Sequence, residues 1–461
     1  MLEFSKKSNT LEQTEYEYAL QDVEEPHLYR QLYEYDSVPK IPFNHRHVPM
    51  RPADEIWITD TTFRDGQQAR PPYTVEQIVQ LYKFLHELSG PKGVIRQSEF
   101  FLYSETDREA VERCRELGYE YPEITGWIRA HPKDFQLAKD MGIKETGILA
   151  SCSDYHIFKK LRMTRREAMD QFLGIVKDAL ATGIRPRVHL EDITRADFYG
   201  FVLPFALELY KLSQQSGIPI KLRACDTLGL GVSYPGVALP RSVPGIAYGL
   251  WHYARFPGEL LEWHGHNDFY KAVNNAGTAW LYGISAVNGT LLGIGERTGN
   301  TPIEAMVIEY AGLRGTLNGM NPEIISEIAD YYRDELDYHI PPMAPLVGED
   351  FNTTRAGIHA DGLLKDKEVY TTFDAEKILH SPPRVLINQS SGAAGLLHWI
   401  EEHYDTASKN GLNKRDLRLQ PILNWIQEEY ENGRVTAIGD EELNRTLQKL
   451  APDLYTELTT K

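Results

Sequence analysis

The chain repeats one arrangement along most of its length: a short apolar run followed by a longer stretch with helical periodicity. The apolar runs predict eight strands, at residues 56–63, 93–101, 122–128, 145–151, 185–190, 219–225, 259–263 and 284–292. Between them, apolar residues recur every three or four positions, which predicts helices such as Val75–Leu88, Asp107–Leu117, Arg165–Ala181, Phe198–Ser213 and Phe269–Tyr282. This succession predicts a (β/α)8 TIM barrel rather than a doubly wound sheet, because no GxGxxG motif follows the first strand.

Segments of different character flank the predicted barrel, which we place at residues 54–315. Residues 1–53 form an N-terminal extension rich in tyrosine, which we expect to pack on its own barrel or on a partner subunit; these tyrosines are Tyr16, Tyr18, Tyr29, Tyr33 and Tyr35. A proline- and glycine-rich insert at 230–256 lengthens the sixth loop and predicts a lid or an interface segment. After the barrel we expect a linker and subdomain at 316–400 and a smaller helical C-terminal subdomain at 401–461.

The carboxyl ends of the predicted strands are polar, as the active-site end of such a barrel requires. Five of the eight strands end in clusters of charged, polar or glycine residues, at Arg64–Asp65, Arg187–Asp192, Arg223–Thr227, His264–His266 and Gly293–Gly299. Because the carboxyl ends of parallel strands meet at one end of a barrel, we expect these residues to form a single site.

The strongest chemical signal is the segment from Glu262 to Asp268. His264 and His266 are two residues apart on a strand, so their side chains point to the same face. Two neutral imidazoles in this arrangement suit Zn, Mn, Fe or Co, although a pair of hydrogen-bonded histidines is an equally good interpretation of this motif alone. The polar strand end at residues 60–68 supplies the carboxylate that favours the metal site.

Composition restricts the classes of partner. The chain carries a net charge of −17, with 42% hydrophobic and 25% charged residues, which argues against nucleic acid and anionic membranes as partners. Its three cysteines show no CxxC spacing, so a reduced, cytoplasmic setting is expected. No signal peptide or membrane span is predicted, because no apolar run approaches 18 residues.

Taken together, the strand ends resemble the DRE-TIM metallolyases, and within them the Claisen-condensing branch of isopropylmalate, homocitrate, citramalate and Re-type citrate synthases. The resemblance covers about residues 55–400 and rests on DTTFRDGQQ at 60–68, SDYHIFKKL at 153–161, RVHLEDITR at 187–195, CDTLG at 225–229, HGHND at 264–268, GIGERTGN at 293–300 and AGIHADGLLKDKEVY at 356–370. It implies an acyltransferase that joins acetyl-CoA to a 2-oxo acid and hydrolyses the thioester, acting as a homodimer or a larger homo-oligomer.

The resemblance also implies roles for individual residues. The implied ligands of a divalent metal, with Mn²⁺ favoured over Mg²⁺, Co²⁺ or Zn²⁺, are Asp65, His264 and His266. The implied catalytic residues are Arg64, Glu191, His359 and Tyr370. The implied substrate-binding residues are Gln68, Arg187, His189 and Thr227. His359 and Tyr370 correspond to a pair that the family often supplies from the neighbouring subunit for proton transfer.

Departures from the family pattern guide the expected substrate. This chain has His189 where homocitrate synthases have serine, and we expect His189, Arg223 and Arg96 to favour a second carboxylate on the electrophile. Oxaloacetate, giving citrate, is therefore the expected 2-oxo acid, with 2-oxoglutarate next and the isopropylmalate and citramalate reactions as further alternatives. Some members of the family have an asparagine beside or within the glycine-rich end of strand eight. Here Leu292 and Ile294 occupy those positions, so we predict no asparagine ligand. A lyase, a carboxyltransferase using Lys221, and a non-catalytic binding protein are less consistent with these motifs.

Overall fold

The computed structural model describes residues 2–6, 10–13, 18–128, 132–404 and 412–460. The chain forms two compact units, Met1–Asn321 and Pro322–Lys461. In the first unit, eight parallel strands close into a barrel, which confirms the predicted fold. Ahead of it, β1 (Leu2–Ser5) and β2 (Thr10–Gln13) pair antiparallel. The barrel strands are β3 (Trp57–Asp60), β4 (Ile95–Phe101), β5 (Glu123–Trp127), β6 (Glu145–Ser151), β7 (Arg185–Glu191), β8 (Lys221–Asp226), β9 (Leu261–Gly265) and β10 (Ala286–Gly289).

Helices cover the outside of the barrel. They are α1 (Val75–Ser89), α2 (Glu105–Glu116), α3 (Pro132–Asp140), α4 (Arg165–Thr182), α5 (Leu203–Ser216), α6 (Val243–Tyr248), α7 (Ala272–Leu281) and α8 (Ile303–Arg314). Three of them begin with capping boxes. In each, the hydroxyl of Thr74, Ser104 or Thr164 accepts the backbone N–H three residues on, and the side chain of that later residue accepts the backbone N–H of the capping residue. These caps fix where each helix starts after its loop.

Strand alternation divides the barrel residues between two environments. Ile58, Ile148, Val188 and Leu222 are fully buried and form part of the apolar core. The alternate residues face the barrel interior, and there the structure buries charged side chains instead, namely Glu99, Glu145, Arg187, Arg223 and Glu262. Each of these five has at least one oppositely charged partner within 4 Å.

The described part of the N-terminal extension packs along the barrel. The Tyr33 hydroxyl donates to the Thr194 carbonyl at 2.7 Å, and the Ala53 N–H donates to the Trp280 carbonyl at 3.0 Å. Residues of the sixth loop hold the same segment: Arg241 donates to the Pro39 and Lys40 carbonyls. Tyr16 lies outside the described residues. Packing on the chain's own barrel, one of the two expected arrangements, is thus present.

The second unit is mainly helical. Its helices are α9 (Ile324–Asp334), α10 (Gly357–Lys365), α11 (Ala375–Leu379), α12 (Gly392–His403), α13 (Gln420–Glu431), α14 (Asp440–Leu450) and α15 (Pro452–Thr459), beside the short paired strands β11 (Thr353–Thr354) and β12 (Arg384–Val385). Its apolar core includes Leu396, Trp399, Ile422 and Leu447. Within the described residues, no helix combines the length and apolar character that crossing a membrane requires. Cys114, Cys152 and Cys225 are free and buried, and the cytoplasmic location stays a prediction.

One sequence-based expectation about charge is wrong. Arg96 is the second residue of β4, so it lies at the amino end of the barrel, opposite the predicted site. There its guanidinium pairs with Glu55 at 2.6 Å. Arg96 therefore does not add positive charge at the strand ends where the substrate is expected.

Candidate metal centre and active site

Asp65, His264 and His266 meet at the carboxyl end of the barrel. All three are buried, and one ligand atom from each lies within 4.8 Å of the others. The Nε2 atoms of His264 and His266 lie 3.5 and 3.8 Å from the same carboxylate oxygen, Oδ2 of Asp65. Two imidazoles and one carboxylate facing a common point match the donor types that divalent transition metals accept.

The protonation of these side chains also suits a metal. Burial lowers the pKa of His264 to about 4 and also lowers the pKa of His266, so both rings are neutral at pH 7. His264 Nδ1 lies 2.7 Å from Asn288 Oδ1, which fixes Nδ1 as the donor and leaves the Nε2 lone pair facing Asp65. Burial raises the pKa of Asp65, but the adjacent Arg64 guanidinium counters that effect and the net pKa lies below its usual value, so the carboxylate stays ionised.

Asn300, which sequence analysis missed, completes this cluster. Its Nδ2 donates to Asp65 Oδ2 at 2.6 Å, while its Oδ1 is buried and has no hydrogen-bond partner among the described residues. The loop from Gly293 to Gly299 folds back so that the Asn300 N–H donates to the Gly293 carbonyl at 2.8 Å. The Nδ2 group of Asn300 faces Asp65, whereas its Oδ1 packs against Gly295. The signal available in the sequence was the last residue of the motif GIGERTGN.

Arg64 lies directly beside this centre. Its Nη1 donates to Asp65 Oδ1 at 2.9 Å and its Nε to Glu99 Oε1 at 2.7 Å. Burial raises the pKa of Glu99, yet Arg223, Arg64 and Arg187 hold it well below its usual value. Glu99 thus fixes the guanidinium of Arg64, the predicted catalytic residue, next to the metal cluster, that is, the three predicted metal ligands Asp65, His264 and His266.

Two predicted substrate-binding residues lie deeper in the barrel. Arg187 is enclosed by carboxylates: Nη1 donates to Glu145 at 2.8 Å and Nη2 donates to Glu99. His189 is 2% exposed, and its Nε2 is 3.6 Å from Glu99, beyond hydrogen-bond distance. Burial and Arg223 lower the pKa of His189 to about 3, so its ring is neutral. Arg223 itself donates to Glu262 at 2.8 Å, so it is not a free cation for a substrate.

Glu191 lies at the mouth of the barrel. Lys160 Nζ donates to both of its oxygens at 3.0 Å, and His156 Nδ1 is 3.0 Å away. Burial raises the pKa of Glu191, but the contacts with His156, Ser151 and Lys160 outweigh it and lower the pKa to about 2. His156, from the quoted 153–161 motif, is a second residue that sequence analysis did not assign to the site.

The remaining predicted barrel residues lie on the surrounding loops. The Thr227 hydroxyl accepts the Asp192 N–H at 2.9 Å, which joins the loops after β7 and β8. Gln68 lies on the turn Gly66–Ala69 directly after Asp65, with an exposed side chain. Their proposed contacts with substrate stay predictions.

Arg297 connects three of these loops. Its Nε and Nη2 donate to the two Asp268 oxygens at 2.8 and 3.1 Å, and Nη2 also donates to the Thr227 carbonyl at 2.6 Å. Its φ of 58° is in the left-handed region, which arginine rarely adopts. The loops after β8, β9 and β10 are therefore held together by one side chain next to His266.

His359 and Tyr370 belong to the second unit, where the structure brings them together. Their ring centroids lie 4.4 Å apart, with His359 on α10 and Tyr370 just after it. Tyr370 lies over Gly362, where any Cβ would come within 2.4 Å of its ring. The pair is a defined local feature, and its role in proton transfer stays a prediction.

Comparison with known proteins agrees with this architecture. Residues 55–331 match the family described as HMGL-like. The chain belongs to that family, which confirms the resemblance drawn from its strand-end motifs.

Three relatives extend the comparison to nearly the whole chain. The chain is 54% identical to the Citrate (Re)-synthase of Clostridium kluyveri, covering 95% of this chain and 97% of that protein. It is 55% identical to the Citrate (Re)-synthase of Syntrophus aciditrophicus, covering 95% and 70%. It is 35% identical to the 2-phosphinomethylmalate synthase of Streptomyces hygroscopicus, covering 93% and 98%.

Among solved structures, the hydroxymethylglutaryl-CoA lyase from Pseudomonas aeruginosa superposes with a TM-score of 0.50 at 18% identity, covering 62% of this chain and 95% of that one. This likeness concerns the fold alone.

Proposed function

We propose that this chain is a Re-type citrate synthase, an acyltransferase that condenses acetyl-CoA with oxaloacetate and hydrolyses the thioester. The observation that carries the proposal is the identity of 54–55% to two proteins with that name over 95% of the chain. The buried cluster of Asp65, His264 and His266 supports it, because it supplies donors for the divalent metal that the resemblance implies. Homocitrate synthesis from 2-oxoglutarate is the alternative.

Asp65, His264 and His266 would hold the metal, and Asn300 Nδ2 donates to the Asp65 carboxylate beside them. When bound, a divalent metal supplies a Lewis acid for the oxo acid; Mn²⁺ is the proposed ion. Arg64 places a fixed positive charge beside this centre, where it stabilises negative charge that develops on oxygen. Because His189 is neutral, it adds no further positive charge to the barrel interior. The proposed substrate contacts are Thr227, Gln68 and Arg187.

The reaction moves one proton from the acetyl methyl carbon to a base and forms a carbon–carbon bond to the keto carbon. The keto oxygen then gains a proton, and water cleaves the carbon–sulfur bond to release CoA. His359, with Tyr370 against its ring, is the proposed group for proton transfer. Glu191, ionised and fixed by Lys160, orients His156 at the barrel mouth.

The proposal is tested by CoA release from acetyl-CoA with a panel of oxaloacetate, 2-oxoglutarate, pyruvate and 2-oxoisovalerate. Oxaloacetate should give the highest kcat/KM, and chelation of divalent metal should abolish turnover. A preference for 2-oxoglutarate would select the alternative, whereas a preference for 2-oxoisovalerate would reject both.

The stereochemistry has its own test. Citrate made from labelled acetyl-CoA is cleaved with a lyase that releases only the pro-S arm as acetate. Attack on the Re face places the label in the released oxaloacetate, and label in acetate would overturn the assignment. Citrate from a Si-type synthase, labelled in the same way, is the control.

A further inference from the structure

The barrel carries a cavity at its amino end, opposite the cluster of Asp65, His264 and His266. Its volume is about 680 Å³, within the range of sites that bind small molecules. The first residues of several strands line it, together with the segment Tyr119–Tyr121 that leads into β5. The reaction proposed above makes no use of this cavity.

The lining of this cavity is basic, although the chain is acidic. Five basic side chains face two acidic ones, Glu120 and Glu123, whereas the whole chain has a net charge of −17; the basic residues are Arg96, Arg115, Lys144, Arg185 and Lys221. A local excess of positive charge on an acidic protein concentrates anions at that place.

Two of the five basic residues are neutralised by buried acid. Glu145, which is fully buried, lies 2.6 Å from Arg185 and 3.0 Å from Lys221. Lys221 also donates to Gln97 at 2.9 Å. These contacts belong to the base of the barrel and explain the positions of Arg185 and Lys221 without a ligand.

The other three cations lack such neutralisation. Arg96 pairs with Glu55, whose side chain is 67% exposed so that the pair is strongly screened, and its guanidinium also lies over the Trp57 ring, 4.3 Å from the ring centroid. Among the described residues, the Arg96 Nε is buried without a hydrogen-bond partner. Arg115 donates to a backbone carbonyl, that of Met141. Among the described residues, no carboxylate lies within ion-pair distance of Arg115 or Lys144.

The aromatic wall of the cavity is preformed. Tyr119 stacks on His86 with ring centroids 3.6 Å apart, and it lies 6.1 Å from the Tyr82 ring. The Tyr82 hydroxyl donates to the Pro122 carbonyl at 2.5 Å. A fixed wall of this kind lowers the cost of ordering the site around a ligand.

We propose that this cavity binds a small anion with at least two negative charges, held by Arg96, Arg115 and Lys144. Carboxylate and phosphate groups share the required chemistry, since guanidinium groups pair with both in a two-pronged geometry and lysine pairs with both as a point charge. The site is separate from the metal cluster, and the proposal is independent of which oxo acid the enzyme condenses.

The test uses two probes, ATP for a phosphate ester and tricarballylate for a polycarboxylate, each titrated calorimetrically into the full-length protein. The variant Arg115→Gln/Lys144→Gln removes two cations of the cavity. The control Lys139→Gln/Lys177→Gln removes the same charge from exposed positions on α3 and α4. A third variant, Arg64→Gln, changes a residue of the proposed active site that does not line the cavity. Binding that this variant retains therefore takes place outside the proposed active site.

At least one probe should bind the wild type, the control and Arg64→Gln with similar affinity, and should bind the cavity variant about tenfold or more weakly. Binding of ATP alone identifies a phosphate ester, and binding of tricarballylate alone identifies a polycarboxylate. The proposal is overturned if neither probe binds the wild type, if the cavity variant binds as the control does, or if Arg64→Gln abolishes binding. Thermal unfolding of both double variants and of Arg64→Gln checks that all three fold, because Arg64 pairs with the buried Asp65 and Glu99.

Discussion

At the scale of single residues, Glu99 shows how the charges inside the barrel depend on one another. This one carboxylate lies within ion-pair distance of Arg64, Arg187 and Arg223, and it is 1% exposed. A buried charge that loses its partner is strongly destabilising, whereas a complete network is tolerated. Arg187 and Arg223, which sequence analysis expected to interact with the substrate, are therefore largely neutralised by the protein. Arg64, the predicted catalytic residue, is held beside the metal ligand Asp65.

The metal assignment predicts graded effects at two neighbouring residues. His266→Ala removes a ligand and should abolish stoichiometric binding of Mn²⁺, and turnover with it. Asn288→Ala leaves the three ligands in place but removes the hydrogen bond that orients His264, together with the bonds from Asn288 Nδ2 to Thr59, so its metal affinity should fall by about 10- to 100-fold. Calorimetric titration and metal analysis measure both, with exposed His47→Ala as the control. Full metal content in His266→Ala would contradict the assignment.

Glu304 predicts a pH dependence of stability. Burial raises its pKa from 4.5 to about 7, so the folded protein holds a proton that the unfolded chain has already released. The stability from this group is fully present below pH 4.5 and is lost as the pH rises through 7, on the order of 3 kcal/mol in total. Glu304→Gln can keep the hydrogen bond from the Leu292 N–H, which is 3.1 Å long.

The expected result is a gain in the Tm of Glu304→Gln over wild type that grows between pH 5 and pH 8. The matched control is Glu112→Gln, the same chemical change on an exposed face of α2. A Tm difference that stays constant across this pH range would show that Glu304 does not titrate there.

At the scale of elements, the barrel was predictable because buried parallel strands appear as continuous apolar runs. All eight runs overlap the observed strands, and most helices begin near their predicted positions. The exceptions are α5, which starts at Leu203 after a π-helical turn at Phe198–Val202, and α7, which starts at Ala272 instead of Phe269. Asn300 was missed because its place beside Asp65 depends on how the loop 293–299 folds back, which apolar patterning does not encode. The assignment of Arg96 to the site was wrong because Arg96 lies near the start of the apolar run 93–101, and the start of a strand lies at the amino end of the barrel.

The loop clamp formed by Arg297 gives a prediction at this scale. Arg297→Lys keeps the charge but loses the fork that joins Asp268 to the Thr227 carbonyl. Because Thr227 and His266 lie on the joined loops, KM for the oxo acid should rise about tenfold with little loss of Tm. Asp268→Asn should have a similar effect, and the double variant should be no worse than either single variant. A fall in Tm with unchanged KM would make Arg297 a structural residue only.

At the scale of the whole molecule, the proposed reaction depends on residues from both compact units. The metal cluster and Arg64 belong to Met1–Asn321, whereas His359 and Tyr370 belong to Pro322–Lys461. The relatives named Citrate (Re)-synthase match across both units, which is consistent with a function that requires both. The homodimeric state stays a prediction, and His359 can serve the barrel of a partner only if the protein forms an oligomer.

Mixing two inactive variants separates these arrangements. His359→Ala lacks the proposed proton-transfer group and should lose about 10²- to 10⁴-fold in kcat while still binding the 2-oxo acid. His266→Ala lacks the metal site but keeps an intact His359. If His359 acts across a two-fold interface, exchanged hybrids contain one complete site and should recover part of the wild-type activity. Without recovery, and with subunit exchange shown by mass spectrometry, the site is assembled within one chain. Loss of 2-oxo acid affinity alone in His359→Ala would instead assign this residue to binding and remove it from proton transfer.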